Sequence, residues 1–160
     1  MRRITRHELN MEIAQLVAKR STCVKAHVGA VIVKGGRIIA TGYNGAPSGL
    51  DHCLDKGCLL DEQGHCQRCV HAEVATISFS ARYGVPLEGS TLYITHAPCI
   101  HCAKVIVNSG IEAVIYQHPY NDVGGVIMLG KAGITVYEYV GYPTFLVHPK
   151  KRESRGTFDE

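Results

Sequence analysis

Hydrophobic positions along this chain change their period several times, and each change marks an element. Over residues 5–20 the apolar residues Leu9, Ile13, Leu16 and Val17 fall at helical spacing. Residues 28–33 and 37–43 read as two strands joined by Lys34-Gly35-Gly36, a hairpin signal. Residues 71–83 predict a helix that stops before Gly84 and Pro86. A strand over 90–95 runs directly into a helix over 99–109, closed by Gly110. Residues 113–117 then predict a strand, 125–132 a short helix and 134–138 a last strand. Helices alternating with strands after an opening hairpin imply a layered α/β sandwich with a mainly parallel part to its sheet. In such folds sites form beyond strand ends, where helices begin. Residues 1–140 read as one domain, and 141–160, with Pro143, Pro149 and a charged end, as a tail outside the core.

Composition narrows the setting. A chain of 160 residues suits a single domain, and 46% hydrophobic with 19% charged residues is ordinary for a globular protein. No apolar run approaches the roughly 18 residues that cross a bilayer, which predicts no membrane partner. The start, Met1-Arg2-Arg3-Ile4-Thr5-Arg6-His7, is basic without the apolar stretch of a secretion signal, so a cytoplasmic location is expected. A net charge of +3 with scattered basic residues, apart from Lys150-Lys151-Arg152, argues against a nucleic acid partner. Seven cysteines, an odd number without a secretion signal, read as metal ligands and free thiols rather than a disulfide framework.

The chemistry lies at two predicted helix starts. In Pro98-Cys99-Ile100-His101-Cys102 the two cysteines stand one helical turn apart on one face, so their thiolates can hold one metal ion. Backbone dipoles at a helix start favour the thiolate. His71 supplies a third ligand, leaving a tetrahedral zinc with one position open to water, the catalytic arrangement. Glu73, two residues on, sits inside the first turn as a proton carrier beside that water and not as a ligand. Residues 44–70 form a long segment without periodicity that carries His52, Cys53, Cys58, His65, Cys66 and Cys69. A second, structural zinc held by Cys53, Cys58, Cys66 and a histidine, His65, would order it, because metal binding couples to folding.

His-x-Glu followed by Pro-Cys-x-x-Cys marks the zinc nucleobase deaminases. From about residue 16 to 139 the sequence resembles the deoxycytidylate (dCMP) deaminases of bacteria and phages, a branch of the cytidine deaminase superfamily. The shared stretches are Ser21-Thr22-Cys23, the run from Val28 to Val33, Gly42-Tyr43-Asn44-Gly45-Ala46-Pro47, the cysteine-rich loop and the two zinc motifs. The resemblance implies a three-layer α-β-α sandwich with a five-stranded mixed sheet. It implies hydrolysis of dCMP to dUMP and ammonia, supplying dUMP for dTTP synthesis, with water attacking C4 and Glu73 protonating N3 and the leaving amine. It places Asn44 at the sugar hydroxyl, and Ala72 and Tyr120 at the nucleotide. It also implies dCTP and dTTP as effectors and a homo-oligomer, often a hexamer, with Phe79 and Arg82 on a helix face that could meet another subunit. The chain departs from the family pattern at Ala75 and Thr76, where Asn-Ala is common, at Cys69, and at His96, which could touch the base or the phosphate. The rival readings are a deaminase of another cytosine nucleotide or nucleobase, and a non-catalytic zinc-binding module.

Overall fold

The fold is that of a computed structural model, which describes residues 2–141 and 143–147. In chain order it comprises α1 (Arg6–Ala18), β1 (Gly29–Lys34), β2 (Arg37–Tyr43), α2 (Cys53–Lys56), α3 (Ala72–Arg82), β3 (Ser90–His96), α4 (Ile100–Asn108), β4 (Ile111–His118), α5 (Gly124–Lys131), β5 (Thr135–Tyr139) and β6 (Pro143–Val147). The β1–β2 hairpin closes through Gly35 and Gly36, whose positive φ values of 55° and 74° are what a two-residue turn of this hand requires.

Among the described residues the strands form one mixed sheet in the order β2-β1-β3-β4-β5-β6. β3, β4 and β5 run parallel, and the pairs β1–β2, β1–β3 and β5–β6 are antiparallel. The five expected strands are present, and β6 adds a sixth at the edge. Backbone pairing therefore reaches into the stretch 141–160, which the sequence placed outside the core. A proline is tolerated there because it opens an edge strand, where no neighbour needs its missing N–H. The basic run Lys150-Lys151-Arg152 lies outside the described residues.

Alternation along the strands sends side chains to two apolar layers. Ile32, Leu92, Ile94, Val114 and Val136 pack with Ala72, Ala103, Ile106 and Leu129 on the side of α3, α4 and α5. Val31, Tyr93 and Ile115 face the other way, onto Met11 and Ala14 of α1. The result is the expected three-layer α-β-α sandwich. It brings the first turns of α3 and α4 together, with α4 beginning just past the carboxyl end of β3.

The buried face of α1 is not the one its leucines suggest. Leu16 is 62% and Leu9 43% exposed, whereas Met11, Ala14 and Ala18 are buried. Close packing selects the small residues. A Cβ placed on Gly29 of β1 would lie 2.0 Å from the Ala14 carbonyl oxygen and 2.6 Å from the Ala18 nitrogen, so helix and strand touch backbone to backbone. Leucine on that face would force them apart. Met11→Ala should therefore cost about 2–5 kcal/mol of unfolding free energy, while Leu16→Ala stays within about 0.5 kcal/mol. Denaturant unfolding measures both, and equal losses would contradict this assignment of faces.

Candidate active site

His71 and Cys99 are the N-cap residues of α3 and α4. Both have extended backbone, and neither side chain folds back to cap its own helix. The two side chains instead point at one another. His71 Nδ1 lies 3.6 Å from Cys99 Sγ and 3.3 Å from Cys102 Sγ. The three ligand atoms all fall within 4.8 Å of one another. Cys102 is buried, Cys99 half-buried, and His71 keeps an exposed edge. Two thiols and one imidazole nitrogen at this spacing are a donor set that suits zinc, and the open edge leaves room for a fourth, non-protein ligand.

Electrostatics within the trio favour a cation. A hydrogen bond from the Cys102 thiol, aided by His71, holds Cys99 down at about 3, well below the ordinary thiol range. Cys102 is pushed upward, first by its bond to the Cys99 sulfur and then by burial. His71 is raised, chiefly by its bond to Cys99. Protons thus gather where a divalent ion would replace them.

Glu73 lies in the first turn of α3 and is 4% exposed. Its carboxyl reaches the Cys102 thiol but does not belong to the metal-capable trio. Burial lifts it to about 7, with the nearby Cys99 charge adding to the rise and His71 opposing it. A carboxyl that exchanges its proton near neutrality, next to a metal-holding trio, is suited to general acid–base work.

The turn that carries Cys99 is set by its neighbour helix. A Cβ on Gly125 at the start of α5 would meet the Pro98 carbonyl oxygen at 2.0 Å and the Cys99 carbonyl carbon at 2.8 Å. Only glycine admits this contact. Nothing in the composition of α5 flags it, because the constraint comes from tertiary packing.

The remaining expected substrate contacts are placed as follows. Asn44 is buried, just past β2. Its Oδ1 accepts from the Val28 N–H at 2.8 Å, and its Nδ2 donates to the Ala26 carbonyl at 2.8 Å. A bridge between Gly45 and Val70 sets it beside the lead-in to His71. Ala72 opens α3 and is fully buried, so its methyl belongs to the core cluster. Tyr120 lies on the β4–α5 loop, 43% exposed. Thr76, at a position where the chain departs from the family pattern, packs against Gly42 and bonds back to the Ala72 carbonyl.

The cysteine-rich loop makes a second cluster. Cys53 Sγ lies 3.6 Å from Cys66 Sγ and 3.4 Å from Cys69 Sγ, and these three form the other metal-capable group among the described residues. Cys58 is within hydrogen-bond reach of Cys53 and Cys66. Cys23 reaches Cys69. Of the expected set, Cys53, Cys58 and Cys66 thus converge, but His65 does not. Its ring faces Asp61 at 3.5 Å, on an exposed turn that the Asp61 carboxylate also ties to the Gln63 and His65 N–H groups. Cys69 takes the place expected of His65, and the spacing Cys66-Gln67-Arg68-Cys69 is the signal that would have found it. Burial opposes ionisation of Cys66, yet N–H groups of Arg68 and Cys69 and the Cys53 thiol bring it to about 6. A second metal therefore fits here as well.

An α-β-α sandwich with an imidazole and two thiols converging at two helix starts, next to a buried carboxyl, is the framework of a metal-dependent hydrolase. The model of the cytidine and deoxycytidylate deaminase zinc-binding region matches residues 4–118, and the chain belongs to this family. It is 42% identical to ComE operon protein 2 of Bacillus subtilis, over 96% of this chain and 80% of that protein. It is 39% identical to the deoxycytidylate deaminase of Enterobacteria phage T4, over 79% and 86%. Among solved structures, the dCMP deaminase of cyanophage S-TIM5 in complex with dCMP and dUMP superposes with a TM-score of 0.73 at 34% identity, over 82% of this chain and 94% of that one.

Metal analysis tests the cysteine cluster. The parent protein should carry two zinc ions per chain, Cys69→Ala should retain one, and His65→Ala both. Loss of one zinc from His65→Ala, with none lost from Cys69→Ala, would reverse this assignment.

Proposed function

We propose that this protein hydrolyses dCMP to dUMP and ammonia, and so supplies dUMP for dTTP synthesis. The observation that carries the reading is the position of Glu73, buried beside His71, Cys99 and Cys102 without joining them. A structural metal site has no use for such a carboxyl. The relatives support the choice of substrate: the T4 and S-TIM5 proteins are deoxycytidylate deaminases, and the latter is solved with dCMP and dUMP.

His71, Cys99 and Cys102 would hold the zinc. Zinc, when bound, lowers the pKa of a coordinated water toward about 7 and so supplies a nucleophile at neutral pH. Glu73 takes a proton from the attacking water and delivers it to N3 of the cytosine ring as the oxygen adds at C4. It then protonates the 4-amino group, which leaves as ammonia while the C4 carbonyl forms. Atoms balance as dCMP plus water giving dUMP plus ammonia. Asn44 has one amide N–H and one carbonyl lone pair beyond the bonds that fix residues 26–28, and these serve the sugar hydroxyl. At Ala72 the backbone, at the start of α3, and not the buried methyl, meets the base. Tyr120 borders the nucleotide from the β4–α5 loop. Cys53, Cys66 and Cys69, with Cys58 beside them, hold the structural zinc. Phe79 and Tyr83 stack in parallel on the outer face of α3, 6.4 Å apart with Arg82 over Tyr83, and suit the homo-oligomeric contact.

Glu73→Gln separates chemistry from metal binding. Zinc content should match the parent, while turnover of dCMP falls by at least 100- to 10,000-fold, the usual share of general acid–base catalysis. Ammonia release and metal analysis on one preparation measure both. Near-parental turnover would remove Glu73 from the reaction.

A further inference from the structure

The cysteine loop gathers more thiols than one metal ion can use. Cys53, Cys66 and Cys69 form the metal-capable trio, Cys58 lies within reach of Cys53 and Cys66, and Cys23 within reach of Cys69. All five are free thiols. A tetrahedral zinc with Zn–S bonds of about 2.3 Å sets its sulfurs roughly 3.8 Å apart. The trio already has nearly that spacing, with Cys53 Sγ 3.6 Å from Cys66 Sγ and 3.4 Å from Cys69 Sγ. Four-coordination then leaves room for one more thiol, so one of Cys23 and Cys58 is surplus.

Burial separates the two. Cys23 is 4% exposed, and its sulfur accepts from the Lys25 N–H at 3.4 Å, a bond that favours a thiolate. Cys58 is only partly buried and follows Gly57, whose φ of 73° turns the chain at the end of α2. It is the thiol that solvent reaches.

The backbone sets Cys58 beside one member of the trio. Residues 57–68 fold back on themselves as a small hairpin. The Gly64 N–H donates to the Asp61 carbonyl at 3.0 Å, and the Asp61 N–H to the His65 carbonyl at 2.9 Å. Leu60 pairs with Cys66 in an antiparallel bridge, and the Gln67 N–H donates to the Leu59 carbonyl at 2.7 Å. Arg68 Nε donates to the Gly57 carbonyl at 3.2 Å and so ties the open end. Side chains alternate along each arm, so Cys58, two residues before Leu60, shares the face of Cys66. Cys66 is itself only partly buried, whereas Cys53 is buried.

We propose that Cys58 is a resolving thiol, which under a hydroperoxide forms a disulfide with Cys66 and so dismantles the metal-holding trio of the loop. This goes beyond the deamination reading and rests only on the loop metal included in it.

The chemistry balances with hydrogen peroxide as the oxidant. Cys66 Sγ, a thiolate, attacks one peroxide oxygen; the O–O bond breaks, and the other oxygen leaves as hydroxide and takes a proton from solvent. Cys66 is then a sulfenic acid, which condenses with a neighbouring thiol. Cys58 Sγ attacks the Cys66 sulfur, the S–S bond forms, the S–O bond breaks, and the hydroxyl leaves as water with the Cys58 proton. The two sulfurs together give up two electrons, and the peroxide accepts them. The thiolate, not the disulfide sulfur, is the metal ligand, so only Cys53 and Cys69 remain of the trio. Cys69 stands two residues before His71, and Gly45 pairs with Val70, so this loss loosens the segment that positions His71 and Asn44.

Zinc counting and disulfide mapping on the zinc-loaded protein test the proposal. Reduced parent and reduced Cys58→Ser should both carry two zinc ions per chain. Hydrogen peroxide should take the parent from two ions to one, with a Cys58–Cys66 disulfide found by mass spectrometry of unreduced peptides. Dithiothreitol with added zinc should restore the second ion. Over the same exposure Cys58→Ser should keep both. A reduced Cys58→Ser protein with one zinc ion would make Cys58 a ligand and overturn the proposal. Equal zinc loss from parent and variant, a parent that keeps both ions, or a disulfide joining other cysteines (Cys99 to Cys102, for example) would overturn it as well. Turnover of dCMP is read separately. If the disulfide forms and one ion leaves, but the reduced parent does not deaminate dCMP, the switch stands and the assigned reaction falls.

Discussion

Everything at the site depends on two helices starting at the same point in space. A helix N-terminus presents N–H groups that a cap side chain ordinarily satisfies by folding back. At α3 and α4 the cap residues are His71 and Cys99, and their side chains turn away from their own helices to meet across a gap of 3.6 Å. The helices gain no side-chain cap, and the molecule gains a place where a cation is held. That arrangement needs both helices fixed to within a few tenths of an ångström. The sheet, through β3, and α5, through the glycine contact at Gly125, both fix the start of α4, and the Gly45–Val70 bridge ties down the segment leading into α3.

The same convergence separates the roles of neighbouring groups. Cys102, one turn beyond Cys99, joins the metal-capable trio because it shares the inward face of α4. Glu73, two residues beyond His71, sits a partial turn around α3 and reaches the trio's edge without entering it. Burial then sets its proton affinity near neutrality. The cysteine loop acts one level further out. Cys69 stands two residues before His71, and the Gly45–Val70 bridge joins the loop to the segment bearing Asn44. A metal on the loop cluster would thereby stiffen the approach to His71 as well as the loop.

Much of this was legible in the sequence. The hairpin, the helix–strand alternation and the zinc motifs have local causes: turn glycines, period changes and cysteines one turn apart. What escaped was decided by distant partners. The buried face of α1 is not legible because Leu9 and Leu16 carry the helical periodicity while Ala14 and Ala18 carry the contact, and the contact is set by Gly29 on another element. β6 lay beyond the last clear alternation, and only pairing with β5 makes it a strand. His65 was read as a ligand from its place among cysteines, yet Asp61, four residues away, captures its ring. Gly125 gives no signal at all until Pro98 is seen against it.

Zinc-edge anomalous diffraction from crystals of the metal-loaded protein would locate the ion and its ligands. A peak is expected about 2.0–2.1 Å from His71 Nδ1 and about 2.3 Å from each of Cys99 Sγ and Cys102 Sγ, with a water as fourth ligand. A peak closed by a fourth side chain, or by the Glu73 carboxylate itself, would contradict it.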